Sequence, residues 1–72
     1  MTNLEKRSIL QKIIMHSRVA INKLDEITYY SNMLESEEEV NKEHFQQLLA
    51  EATREFNEAN EKVHELNESL LF

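Results

Sequence analysis

The second half of the chain carries an unbroken row of apolar residues at alternating steps of four and three. The row consists of Phe45, Leu49, Ala52, Phe56, Ala59, Val63, Leu66 and Leu70. This spacing is the heptad pattern of a helix that packs against another helix, because one helix cannot bury its own apolar stripe. It predicts a long helix two, over about residues 42–70, that has a helical partner.

The first half of the chain carries a wider apolar stripe, which predicts helix one over about residues 3–35. The heptad a positions are Leu10, Ser17, Leu24 and Ser31, the d positions are Ile13, Ala20, Ile27 and Leu34, and the e positions are Ile14, Ile21 and Thr28. A stripe across a, d and e positions is wider than a two-stranded seam needs. It is typical of a bundle of three or four helices.

A polar connection over about residues 36–41 joins the two predicted helices. The chain contains no Gly and no Pro, so it lacks the residues that most readily form tight turns or interrupt helices. This composition favours few, long helices with a single connection. Thr2 or Asn3 can cap the first turn of helix one.

Two start signals compete for helix two. Ser36 and Glu39 have the spacing of a capping box. Asn41 can also cap the helix, with Val40 before it and Phe45 at the position that completes a hydrophobic staple. We favour Asn41, because it starts the helix directly ahead of the apolar row.

Because the two helices match in length, we predict an all-α, antiparallel helical hairpin that forms one domain over residues 1–72. Folding about the connection pairs Leu34 with Phe45, Ile27 with Ala52, Ala20 with Ala59 and Ile13 with Leu66, and it brings Leu24 beside Phe56. A rod of single long helices is the main alternative.

One hairpin leaves part of the wide stripe uncovered, so we expect two hairpins to form a homodimeric four-helix bundle with coiled-coil-type packing. A helix from a partner protein would cover the same stripe.

The charge is divided unevenly between the two halves of the chain. Residues 1–23 hold five basic residues and one acidic residue, a charge of +4, whereas residues 24–72 hold three basic and thirteen acidic residues, a charge of −10. We expect Lys12 and Arg18 of helix one to lie near the acidic side of helix two, at Glu58, Glu61, Glu65 and Glu68. Each exposed pair contributes only about 0–1 kcal/mol, so these charges favour the antiparallel orientation more than they stabilise it.

The outer surface of helix one is the candidate binding site for a partner protein. Met15, Val19, Tyr30 and Met33 fall on one line, roughly opposite the apolar stripe, and Tyr29 flanks that line. Met and Tyr are favoured at adaptable contact surfaces. A helix that is apolar on two sides either lies inside an assembly or docks a partner.

Few residues suggest chemistry. Glu61 and His64 have the Glu-x-x-His spacing of ferritin-like metal sites, but Val63 occupies the core position and turns His64 towards the flank. We therefore interpret this pair as a solvated surface pair. The chain has no Cys for thiolate sites and no Gly-rich phosphate loop. We expect no catalytic residues, no metal and no cofactor.

One segment resembles a known family. The run Ile13-Ile14-Met15-His16-Ser17-Arg18-Val19-Ala20 is similar to the Ile-Ile-x-x-Ala-Gly-x-Ala-Arg segment that opens the helical IIA phosphocarriers of the lactose/chitobiose sugar phosphotransferase system. The family's Glu-Ala-His is matched here by Glu58-Ala59-Asn60, so Asn60 stands where the family carries its phospho-accepting His. The third helix of the family has no counterpart, and the resemblance therefore does not predict phosphotransfer.

These observations predict a non-enzymatic protein-interaction module, acting as a regulatory or inhibitory adaptor. A structural subunit of a hetero-oligomeric helical assembly is one alternative, and a small metal or phosphocarrier protein is another. A third is an acidic DNA mimic, based on the row Glu51, Glu55, Glu58, Glu61, Glu65 and Glu68. The net charge of −6 argues against direct nucleic-acid binding. With no apolar run long enough to cross a membrane and no secretory signal pattern, we expect a cytoplasmic protein of a bacterium or an infected host cell.

Overall fold

The computed structural model describes residues 1–36 and 41–71. It contains two helices, α1 (Asn3–Glu35) and α2 (Lys42–Leu71), which pack along each other over their length. The Cα atoms span 56 × 13 × 13 Å, as expected for two helices side by side. The predicted all-α helical hairpin is confirmed, whereas its assembly into a four-helix bundle stays a prediction.

Thr2 begins α1, as one of the two predicted caps. Its Oγ1 accepts a hydrogen bond from the Glu5 N–H at 3.1 Å, and its carbonyl oxygen accepts one from the Lys6 N–H at 3.1 Å. Glu5 also places a negative charge in the first turn, where the helix dipole favours it. At the other end, extended Ser36 stops the helix and donates its N–H to the Met33 carbonyl at 3.3 Å.

Asn41 begins α2, as we favoured from the sequence. Its Oδ1 accepts a hydrogen bond from the His44 N–H at 3.1 Å, so one otherwise unpaired amide of the first turn is satisfied. The predicted roles of Glu39 in a capping box and of Val40 in a hydrophobic staple fall outside the described residues. The other end of α2, at Leu71, lies one residue beyond the predicted end.

The two helices meet along rows that differ in character. On α2, all eight residues of the apolar row are buried or half-buried. On α1, the residues withdrawn from solvent at alternating steps of four and three are Ile9, Ile13, His16, Ala20, Lys23, Ile27, Tyr30 and Leu34. This row includes the predicted d positions, but its other members lie one residue before the predicted a positions. The helix is thus rotated from the expected orientation, and Leu10 and Leu24 stay about half exposed.

The interior of the hairpin is small. Among the described residues, only Ala20, Ala52 and Ala59 are buried, and no large side chain is completely enclosed. Alanine at these three positions lets the helices approach closely, but it contributes little apolar area. A single hairpin therefore has a thin core, and large apolar side chains are left at its surface.

Candidate functional site

Over most of its length within residues 1–36 and 41–71, one side of the hairpin carries no charged residue. A shallow groove on this side is lined by Ser17, Ala20, Ile21, Leu24, Phe56, Asn60 and Val63. One heptad before and after these residues, the same rows continue in Leu10, Ile14, Thr28 and Ser31 on α1 and in Leu49, Thr53, Asn67 and Leu70 on α2. We call this surface the charge-free face. Interface centres are depleted of charged residues in the same way.

Large apolar side chains of α1 dominate the charge-free face and are open to solvent. The exposed fractions are 49% for Leu10, 51% for Ile14, 60% for Ile21 and 49% for Leu24. Single exposed apolar residues are normal on proteins, but four along one face form a continuous patch, and such patches mark interaction sites. These four belong to the stripe predicted from the sequence as the core of a larger assembly.

The polar groups of the charge-free face are compatible with burial. The Thr28 hydroxyl donates to the Leu24 carbonyl at 3.0 Å, and the Thr53 hydroxyl donates to the Leu49 carbonyl at 2.8 Å. Because each hydroxyl donor is satisfied within its own helix, another chain can cover both threonines without leaving that donor unpaired.

The opposite side of the hairpin is charged. Lys23 Nζ of α1 lies 2.6 Å from Glu55 Oε2 of α2 and 3.1 Å from Glu26 Oε2 of its own helix. Glu51 and Tyr30 line the same shallow cavity. The hydrogen bond to Glu55, helped by that to Glu26, raises the pKa of Lys23 above its ordinary value. The hydrogen bond from Lys23 lowers the pKa of Glu55.

Lys12 lies near Glu65 as predicted, but the ion pair that joins the described parts of the two helices forms at a different lysine. Across residues 1–36 and 41–71, the one ion pair that joins the two helices is Lys23–Glu55. Lys12 and Glu65 line one shallow cavity, but with the described residues neither Lys12 nor Arg18 forms an ion pair. Two of the four predicted acidic residues pair within their own helix: Arg54 Nη1 lies 2.7 Å from Glu58 Oε1, and His64 Nε2 lies 3.1 Å from Glu68 Oε1. The complementary charges still meet in the antiparallel orientation, but at a different pair.

The Lys23–Glu55 pair predicts a pH-dependent contribution to stability. The contribution of Glu55 is present above its ordinary pKa of 4.5 and is lost as pH falls through its lowered pKa. The contribution of Lys23 is present below 10.5 and is lost as pH rises through its raised pKa. We therefore expect Lys23→Met to lower the free energy of unfolding by a constant amount between pH 4.5 and 10.5. The difference from wild type should shrink outside that window.

Denaturant unfolding across the pH range measures this effect. Lys12→Met is the matched control, since it removes a lysine charge from the same helix without breaking an ion pair among the described residues. A Lys23→Met deficit that is the same at pH 3 as at pH 7, or an equal deficit in the control, would show that the pair does not contribute as stated.

The outer surface of α1 is partly as predicted. Met15, Val19 and Tyr29 are exposed and Met33 is half-buried. The placement of Tyr30 opposite the apolar stripe is wrong, because its ring centroid lies 6.1 Å from that of Phe45 on α2. Tyr30 also contacts Tyr29, with the ring centroids 5.7 Å apart, so it forms the edge between the helix contact and the outer surface. We keep the name outer surface for Met15, Val19 and Tyr29, with Tyr30 and Met33 at its half-buried edge.

The described residues offer little for chemistry. In the ranges 1–36 and 41–71, no three His, Cys, Asp or Glu residues are grouped so that they could hold a metal ion. The side chain that His64 contacts is Glu68, one turn later, rather than the predicted Glu61. Within the same ranges, no helix is long and apolar enough to cross a membrane.

Sequence reasoning missed the two-sided character of the hairpin. The polar residues His16 and Lys23 occupy positions in the contact row of α1, where a search for apolar residues does not find them. The signal was present in their spacing, because they continue the four-and-three pattern of Ile9, Ala20 and Leu34. Their placement leaves Leu10, Ile14, Ile21 and Leu24 on the charge-free face instead of in the contact with α2.

Comparisons of the chain with protein-family models, with curated proteins and with solved structures found no match. Its function is therefore inferred from the surfaces of the hairpin itself.

Proposed function

We propose that this protein is a non-enzymatic protein-interaction module, a regulatory or inhibitory adaptor that binds a partner protein through the outer surface of α1. The observation that carries the proposal is the apolar exposure of α1 on two separate sides. Ile14 and Ile21 lie on the charge-free face, whereas Met15 and Tyr29 lie on the outer surface. A helix of this kind has more apolar surface than one hairpin can cover.

The two sides differ in their chemistry, which supports different roles for them. The charge-free face is aliphatic, continuous and shared by both helices, as is typical of a permanent contact. On the outer surface, Met15, Val19 and Tyr29 alternate with the polar residues Asn22 and Glu26. Aromatic and Met residues among polar ones are typical of the surface of a protein that meets a partner after folding.

A structural subunit of a hetero-oligomeric helical assembly is the second candidate. The thin core of the hairpin favours it, because Ala20, Ala52 and Ala59 are the buried residues in the described part of the chain. The two candidates differ in how the purified chain behaves. An adaptor is expected to form a stable, well-folded homodimer on its own, whereas a subunit that needs a different chain is expected to aggregate or stay unfolded.

The outer surface is tested by Met15→Asp and Tyr29→Asp. We expect both variants to keep the helix content and mass of the wild-type protein, since both side chains are more than half exposed. We expect them to lose the partner that the wild-type protein captures from an extract of its source cells, because a buried unpaired carboxylate is costly in an interface.

Asn32→Asp is the matched control for this experiment. It adds the same charge at another exposed position of α1 and should leave capture unchanged. Equal capture by Tyr29→Asp and Asn32→Asp would overturn the assignment of the outer surface. Tyr30→Asp is unsuitable, because loss of its contact with Phe45 would weaken the hairpin itself.

A further inference from the structure

The charge-free face needs an occupant. The hairpin exposes 5717 Å². A compact monomer of its mass exposes about 4,700 Å², roughly 1,000 Å² less. A standard protein interface covers about 800 Å² on each partner, so the excess is as large as one such interface. We infer that a second copy of this chain covers the charge-free face, with the α1 helices of the two copies antiparallel and Ile21 at the two-fold axis.

The residue types of the two helices select which helices meet. Around the groove, the row of α1 that points away from α2 contains Ile14, Ile21 and Thr28. The corresponding row of α2 contains Thr53, Asn60 and Asn67. When α1 lies on α1 of the second copy, isoleucine covers isoleucine, and the amides of α2 can bond to those of the other α2. When α1 lies on the other α2, each isoleucine covers an amide instead.

The charges at the ends of α1 agree with this arrangement. Arg7 and Glu35 continue the heptad row of Ile14, Ile21 and Thr28, at steps of seven residues. An antiparallel alignment about Ile21 places Arg7 of each copy opposite Glu35 of the other, and Ile14 opposite Thr28. Ile21 also lies close to the middle of α1, which spans Asn3–Glu35, so this register overlaps the two helices over nearly their whole length.

The arrangement has a consequence that rests on the proposed function. Because the two α1 helices are neighbours, their outer surfaces lie on the same side of the four-helix bundle. Met15 of one copy comes level with the region of Tyr29 of the other, since the helices run in opposite directions. A partner protein that binds there would contact both copies, which suits a partner with two-fold symmetry.

Disulfide mapping tests the arrangement directly, because the natural chain contains no Cys. A disulfide needs Cα atoms about 4.4–6.8 Å apart, and between two chains only residues that face each other across the helix contact satisfy this condition. We expect Ile21→Cys, oxidised as the full-length protein, to convert most of the chain to a covalent dimer. A second experiment leaves Ile21 intact. The single variants Ile14→Cys and Thr28→Cys are mixed, unfolded and refolded together, and we expect a disulfide that joins one chain of each variant.

Met15→Cys is the control on the outer surface and should stay uncrosslinked. A mixed disulfide between Ile21→Cys and Asn60→Cys, without the Ile21 homodimer, would overturn the arrangement in favour of α1 against the other α2. Absence of all these crosslinks would overturn the second copy as the occupant of the charge-free face. No partner protein takes part in this experiment, so its failure is separate from failure of the outer surface to bind.

Discussion

Replacement of Ile21 by Asp is expected to separate the homodimer into monomers. In the hairpin the Ile21 side chain is 60% exposed, so a lone hairpin would lose little by the change. In the dimer, two isoleucines leave the interface and two carboxylates meet near the axis. Since the dimer can cover only the exposed 60% of each Ile21, loss of the two isoleucines alone costs about 2–4 kcal/mol, which corresponds to roughly 10- to 10³-fold weaker association.

Sedimentation equilibrium measures the association constant, and circular dichroism at the same concentrations measures the helix content. Val19→Asp is the matched control, because Val19 is also a β-branched residue on α1 but lies on the outer surface. The control is expected to keep the mass of the wild-type protein. If Ile21→Asp associates as tightly as wild type, or if Val19→Asp dissociates equally, the charge-free face is not the site of association.

Replacement of Ala59 by Leu is expected to destabilise the hairpin by about 1–3 kcal/mol, because extra methyl groups at a close helix contact force the backbones apart. Ala59 is 4% exposed. The register set by Lys23 and Glu55 brings Ala59 level with Ala20, which is also buried. A larger side chain at position 59 would therefore press against the opposite helix.

Ala50→Leu on the same helix is the control, since Ala50 is exposed and the substitution alters helix propensity by the same amount as Ala59→Leu. It should alter the free energy of unfolding by no more than about 0.5 kcal/mol. Denaturant unfolding of both variants is measured at one protein concentration, because the contribution of association to stability depends on concentration. Equal stability of Ala59→Leu and wild type would contradict close packing at the alanines.

The architecture was predictable because the main signals are local and agree with one another. The heptad row of α2 requires a helical neighbour, the absence of Gly and Pro leaves both helices uninterrupted, and Asn41 starts α2 just ahead of Phe45. Each signal depends on backbone geometry or on spacing along one helix, which a sequence shows directly. The chain therefore specifies its hairpin from local features.

The orientation of α1 was less predictable, because three neighbouring rows of that helix carry apolar residues. The contact row is the one that also contains His16, Lys23 and Tyr30. Long side chains of this kind pack their apolar parts against a neighbour and keep a polar end in water, so apolar counting undervalues them. Lys23 in addition reaches Glu55, a contact between helices that spacing along one helix cannot show.

Tyr30 does not lie on the outer surface as predicted, because its position depends on a contact with the other helix. Its neighbours on that surface, Met15 and Val19, are exposed, but Tyr30 lies at the edge where α1 meets α2. The aromatic ring packs towards Phe45, which a helical wheel of α1 alone cannot reveal. Identification of this contact requires the register of both helices.

A single hairpin leaves apolar surface at Leu10, Ile14, Ile21 and Leu24. Sedimentation equilibrium of the purified chain, with helix content followed on dilution, measures whether a second copy covers that surface. We predict a helical species of twice the 8.6 kDa chain mass that loses helix as it dissociates. A stable 8.6 kDa species that stays fully helical and unfolds cooperatively would contradict the account.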